Sequence, residues 1–91
     1  MIQPVSWFVK LDYLILYFLE EQDISLSPKV VSANIDHDRS YVGQRLRILR
    51  DAGLVVQHEN SLYELSDLGR QFLAGDLPKK EVEALDPEVD N

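Results

Sequence analysis

Four arginines, Arg39, Arg45, Arg47 and Arg50, fall within twelve consecutive positions that contain no acidic residue. The chain as a whole has nine basic residues against sixteen acidic ones, for a net charge of -7. A guanidinium is a planar fork of donors matched to phosphate and carboxylate oxygens. A cluster of them on a negative chain is therefore a candidate surface for a polyanion. Ser40, Tyr41 and Gln44 lie in the same stretch and add groups that both donate and accept. Spacing decides which of these can act together. At about 100° per residue, Val42, Leu46 and Leu49 form one apolar stripe of a helix, and Ser40, Gln44, Arg47 and Asp51 lie opposite. Gly43, Arg50 and Arg39 flank one edge of that stripe; Tyr41, Arg45 and Ile48 flank the other. A solvated charged face is the plain reading of an arginine-rich helix taken alone, and the elements around it argue against that reading.

No other residues offer chemistry at a useful spacing. There is no cysteine, hence no disulfide, thiolate metal site or sulfur nucleophile. Asp36-His37-Asp38 reads as a polar turn followed by a helix cap. The two histidines, His37 and His58, do not form a metal site by spacing. No serine sits in a nucleophile-elbow sequence and there is no phosphate loop. An enzyme is not expected, nor a metal or a cofactor, and nothing points to a small-molecule effector.

The elements that must position the arginine helix follow from local signals. A first helix is expected from Ser6 to Gln22, with Trp7, Leu11, Leu14, Ile15 and Phe18 on its buried face. Ile24-Ser25-Leu26 is a short extended link. Ser27-Pro28 starts a second helix, a serine cap followed by proline at the first helical position. It runs to Ala33 or Asn34 with Val30, Val31 and Ile35 inward. After a tight turn over residues 34–37, Asp38 caps the third helix, which ends at Ala52 before Gly53. Leu54 to His58 and Ser61 to Leu65 are strand-like, joined by a two-residue turn, Glu59-Asn60, in which Asn60 tolerates positive φ. Ser66 caps a last helix to Ala74, stopped by Gly75. The fold class is mainly α with a small β-hairpin, in the order α-β-α-α-β-β-α. Two helices joined by a short turn, with a hairpin directly after the second, make a winged helix-turn-helix. Ala52-Gly53-Leu54-Val55 supplies the small and aliphatic residues that swing the chain into the wing. This domain is expected over residues 1–75, and residues 76–91 form an acidic tail. The tail's Leu77, Val82, Leu85 and Val89 are too sparse for a core of their own but could dock on the body.

At this point the chain resembles the winged helix-turn-helix family of archaeal transcription regulators, most of all the group typified by the repressor of a haloarchaeal phage. The likeness rests on Trp7, Asp12 and Leu14-Ile15; Ser27-Pro28-Lys29-Val30-Val31; Asp38-Arg39-Ser40-Tyr41-Val42 with Arg45-Leu46; Gly53-Leu54-Val55; and Tyr63-Glu64-Leu65-Ser66-Asp67-Leu68-Gly69-Arg70 into Phe72-Leu73. It spans roughly residues 7–75. It implies double-stranded DNA as the partner, with the third helix in the major groove of a palindrome bound by a homodimer. Gln44 then suits adenine, Arg47 guanine and Ser40 several base edges, while Gly43 lets the backbone come close. Arg39, Tyr41, Arg45 and Arg50 suit phosphates, as do Ser27 and Lys29 at the start of the second helix, where the dipole helps. The wing tip, His58-Glu59-Asn60-Ser61, departs from the family in having no arginine, and Glu59 repels phosphate. Little wing contact is expected. The alternative is a winged-helix module that binds a protein instead of DNA.

Composition bears on both readings. An apolar fraction of 45% and a charged fraction of 27% are ordinary for one small globular domain. The charge is uneven: residues 76–91 hold six acids and two lysines, so -4 of the total -7 lies in the tail. Acid-rich, lysine-poor composition resembles halophilic archaeal proteins. In a molar-salt cytosol the Debye length is about 3 Å, so general repulsion from DNA is screened and close contacts decide. The apolar run Val9 to Leu19 is broken by Lys10 and Asp12 and is too short to span a bilayer. It has no signal-peptide flanks, so a cytoplasmic protein without a membrane role is expected. On the first helix, Val9, Tyr13 and Leu16 point away from the face centred on Leu14 and Phe18. An apolar outer stripe marks an interface, and these three residues are the expected dimer contact.

Overall fold

A computed structural model describes residues 4–88. The elements run α1 (Lys10–Gln22), α2 (Pro28–Ile35), α3 (Arg39–Asp51), β1 (Val55–Gln57), β2 (Tyr63–Leu65), α4 (Asp67–Leu73) and α5 (Lys79–Ala84). The strands pair antiparallel, with Val55 opposite Leu65, Val56 opposite Glu64 and Gln57 opposite Tyr63. Leu26 adds a single bridge to Tyr63, each amide donating to the other's carbonyl at 2.8 Å. The expected extended link is thus a third, one-residue rung of the wing. It ties the turn before α2 to the hairpin after α3.

The helix starts are set by local chemistry. Ser27 accepts from the Val30 amide at 3.2 Å, Asp38 from Tyr41 at 3.0 Å and Ser66 from Gly69 at 3.0 Å. Each satisfies an amide that has no partner within its helix. The Ser66 hydroxyl also donates to the Gly53 carbonyl at 2.7 Å, which joins the start of α4 to the exit from α3. Gly53, at φ 87°, takes the left-handed conformation that turns the chain into the wing. Gly69 is needed for closeness: a Cβ there would lie 2.3 Å from the Leu54 carbonyl oxygen.

Ile15, Leu16, Leu19, Val31, Val42, Leu46, Leu49 and Leu54 form the centre of one core, shared with Val5, Leu65, Phe72 and Val82. The apolar stripe expected on α3 is the buried one. Four expectations are corrected. First, α1 begins at Lys10, because the Asp12 carboxylate accepts from the Val9 amide at 2.9 Å and fixes the start there. Trp7 and Phe8 precede it in a turn, with the Phe8 amide on the Val5 carbonyl. Second, the phase of α1 is rotated: Leu11, Asp12, Ile15, Leu16 and Leu19 are buried, while Leu14 is 39% exposed. Third, Val30 faces solvent, leaving Val31 and the half-buried Ile35 to hold α2. Fourth, the wing loop has three residues. His58 and Leu62 bond across its neck at 2.8 Å, the Ser61 amide closes a turn on the His58 carbonyl, and Ser61 takes φ 61° instead of Asn60. This is the commoner three-residue hairpin, in which a turn is followed by a left-handed residue.

The segment after Gly75 returns to the body. Val82 of α5 is fully buried, and Leu77 and Leu85 pack against the core. The Trp7 indole donates to the Val82 carbonyl at 2.9 Å, and Ser6 bonds Glu83 through both its amide and its hydroxyl. Val89 lies outside the described residues. The phase of α1 overturns the expected dimer contact. Leu16 is wholly buried, and Val9 and Tyr13 are half-buried against the same core, the Tyr13 hydroxyl accepting from the Val5 amide at 2.9 Å.

Candidate nucleic-acid interface

α3 packs its Val42-Leu46-Leu49 stripe inward, against α1 and α2, and this sets what it shows outside. Ser40, Gln44 and Arg47 are exposed on its outer face, with Arg39 and Tyr41 exposed at its start. Arg39 and Arg47 form no ion pair among the described residues. The start of α2 stands beside them, and Pro28, Arg39, Ser40, Gly43 and Arg47 line one open concavity. Lys29 is exposed next to it. The N-terminal dipole of α2 and two unpaired guanidinium groups make this notch electropositive on a chain of net charge -7. The Ser27 hydroxyl spends an acceptor position on its own helix and keeps its proton for an outside oxygen.

Gly43 is buried, and the Arg47 side chain lies over it: a Cβ there would stand 3.5 Å from Arg47 Nη1. Gly43 therefore acts first as the floor on which Arg47 rests. Its backbone comes to the surface only when that side chain swings out. Arg50 is held from two sides, its Nη1 donating to Gln57 at 2.6 Å and its Nε to Asp51 at 3.0 Å. It leans on the wing and reaches a phosphate only by sharing or releasing Asp51.

Arg45 does not take the phosphate-contact role expected of it. Its side chain is 12% exposed and its Nε and Nη2 donate to the two carboxylate oxygens of Asp12, at 2.9 and 2.7 Å. That bonding raises its pKa above the ordinary value, against the opposing effect of burial. It faces α1 and not the outside, so it is not a phosphate contact. Asp12 is the residue that sequence reasoning missed. The signal was there: an acid enclosed by Leu11, Ile15, Leu16 and Leu19 has to have a cation brought to it. At the wing tip, His58 Nε2 lies 2.6 Å from Glu64, and Glu59 is exposed, so no cation projects there.

Among the described residues no group of side chains has the arrangement of a metal site, and no helix is long and apolar enough to cross a membrane.

The family model described as winged helix-turn-helix phage repressor matches residues 1–85. Among solved structures, the chain is similar to the PhiH1 repressor-like protein from Haloarcula marismortui. The TM-score is 0.70 at 31% identity, over 82% of this chain and 86% of that one. It also shares its fold with a candidate transcriptional regulator from Pseudomonas aeruginosa PA01, with a TM-score of 0.67 and 24% identity, over 81% of this chain and 52% of that one. No curated protein matches the chain.

Proposed function

This chain belongs to the winged helix-turn-helix phage repressor family, and on that footing we propose that it is a sequence-specific regulator of transcription. It binds double-stranded DNA through the major groove and acts as a repressor in a two-fold pair. The observation that carries this reading is the outer face of α3. Ser40, Gln44 and Arg47 are exposed in line, with Arg39, Tyr41 and Lys29 around them, and neither Arg39 nor Arg47 is held in an ion pair among the described residues. Gln44 and Arg47 have the paired groups that distinguish adenine and guanine edges. Arg39, Lys29 and Ser27 border the notch at the start of α2, where a phosphate gains from both charge and dipole. Blocking a promoter needs no more than occupancy of the site, which suits a domain of this size.

The test is selection of bound duplexes from a random pool in concentrated KCl, followed by binding of Arg47→Ala and Arg39→Ala to the selected site. Arg47→Ala should lose about 1–3 kcal/mol at one or two base positions, and Arg39→Ala should weaken all sequences alike. A double variant that binds as well as the parent would remove α3 from the reading. A parent that enriches no sequence, and instead retains an acidic protein partner, would favour the protein-binding alternative.

A further inference from the structure

The outward face of α1 carries a pattern that the DNA reading does not use. Lys10, Leu14, Tyr17 and Glu21 are exposed and lie on one side of the helix, at spacings of four, three and four. Leu14 is 39% and Tyr17 48% exposed, two of the six large apolar side chains that the described residues leave in solvent. Half-buried Tyr13 and Phe18 border them. Read backwards, the spacing is the same and the charge is reversed. That is the mark of a surface complementary to itself about a two-fold axis.

The charges are also misplaced for a helix standing alone. Lys10 occupies the first helical position, at the positive end of the dipole, and Glu20 and Glu21 lie in the last turn, which has no basic residue. Each of these opposes the macrodipole. Asp12, in the first turn, has the favourable sign, but it points inward to Arg45. On the outer side the electrostatics are unfavourable unless another helix is added in the opposite direction. Then Lys10 meets the negative end of the neighbour and Glu21 the positive end.

We propose that α1 is the dimer contact, pairing antiparallel with α1 of a second copy of this chain. Lys10 faces Glu21 across the axis and Leu14 faces Tyr17, each pair occurring twice. The helix dipoles oppose one another, and the two charges that were unfavourable become pairs. One helix face is less than a standard interface, so the pair is weak in free solution. Two copies held on neighbouring half-sites gain the effective concentration that closes it. The proposal rests on the reading of the protein as a two-fold pair and supplies the surface for it.

Charge reversal tests it with the full chain and without DNA. Sedimentation at low salt, over a wide concentration range, compares the parent, Lys10→Glu, Glu21→Lys, an equal mixture of these two variants, and the double variant. Each single change places like charges opposite each other twice and should weaken pairing at least about tenfold. The mixture should pair as heterodimers, because each variant then offers the charge that the other lacks, and the double variant should pair like the parent. Both single changes agree with the helix dipole, so thermal unfolding of the monomer should hold or rise. Misfolding is thereby separated from lost contact. A parent that stays monomeric throughout, single variants that pair as well as the parent, or a mixture no better than its components would each overturn the interface. Since no DNA is present, failure of DNA binding leaves this surface standing, and failure here leaves the α3 reading standing.

Discussion

Asp12 and Arg45, 33 positions apart, meet in a two-pronged contact in which the carboxylate has no exposed surface. The same carboxylate caps the start of α1 through the Val9 amide. One side chain therefore fixes where α1 begins and how α3 is rotated about its own axis. With Arg45 turned inward, Ser40, Gln44 and Arg47 have to turn outward.

Removing either partner leaves the other as a buried, unpaired charge. Asp12→Ala and Arg45→Ala should each cost about 3–5 kcal/mol, a large share of the stability of a domain this small. Replacing both, as Asp12→Leu with Arg45→Met, should recover most of that loss apart from about 1 kcal/mol for the missing cap. Urea unfolding of the four proteins checks it. A double variant no more stable than Asp12→Ala would show that the ion pair itself is required.

Two glycines should respond in opposite ways. Gly69→Ala places its methyl group against the Leu54 carbonyl and Leu65, at 2.3 and 2.6 Å before any adjustment. A loss of about 1–3 kcal/mol is expected. Gly43→Ala meets only the end of Arg47, at 3.5 Å. In a helix interior the change should add about 0.5–1 kcal/mol of stability. That distance is ordinary van der Waals contact, so Arg47 should stay in place, and DNA binding should weaken only if the Gly43 backbone itself approaches the groove. Thermal melts and binding to the selected duplex, measured together, separate the two effects.

Salt dependence should sort the cations. If Arg39 and Lys29 each neutralise one phosphate, Arg39→Ala and Lys29→Ala should each reduce the slope of log K against log salt by about 0.9. Replacing Asn60-Ser61 by Gly-Gly should leave affinity within a few fold, because the wing tip offers no cation. Relief of the positive φ at Ser61 should steady the hairpin slightly. A loss of binding beyond tenfold in that variant would show that the wing takes part.

Docking of α5 should depend on pH. The Ser6 hydroxyl and then the Ser6 amide hold the Glu83 pKa below its ordinary value of 4.5. A carboxylate depressed in this way stabilises the folded form fully above the unfolded pKa, and the contribution fades as pH falls through the lowered one. Trp7 bonds the neighbouring Val82 carbonyl, so its emission should shift to the red as the pH falls below about 4.5. Glu83→Gln should shift it at neutral pH and flatten the profile. An unchanged profile in that variant would assign the acid transition to another carboxylate.

The parts of the fold legible in the sequence are those decided within a few residues. Ser27-Pro28, Asp38 and Ser66 cap the helices because a side-chain oxygen three positions before an amide is enough. Val42, Leu46 and Leu49 declare their stripe because no charge interrupts it. Where a distant partner decides, the local pattern misleads. Asp12 breaks the apolar run of α1 in sequence, yet Arg45 makes it an inside residue. The phase then moves, burying Leu16 and exposing Leu14. Val82, flanked by acids, gives no local sign of burial, since its place is made by Trp7 and Ser6 at the other end of the chain. At the candidate site, the outward set Ser40, Gln44 and Arg47 follows from helical spacing alone. The roles of Arg45 and Arg50 do not, because Asp12 and Gln57 come from other elements.

The bonds from Trp7 to Val82 and from Ser6 to Glu83 join residues 75 and 77 positions apart. During synthesis the N-terminal half emerges first. Its aromatic group of Trp7, Phe8 and Tyr13 then waits, without its covering, until residue 83 has been added. The seam along the back of the domain can close only once both of its sides have been made. Among the long-range side-chain bonds of the described residues, those from Ser6 and Trp7 to α5 are therefore the last that synthesis makes possible, after α1, α2 and α3 have all been made.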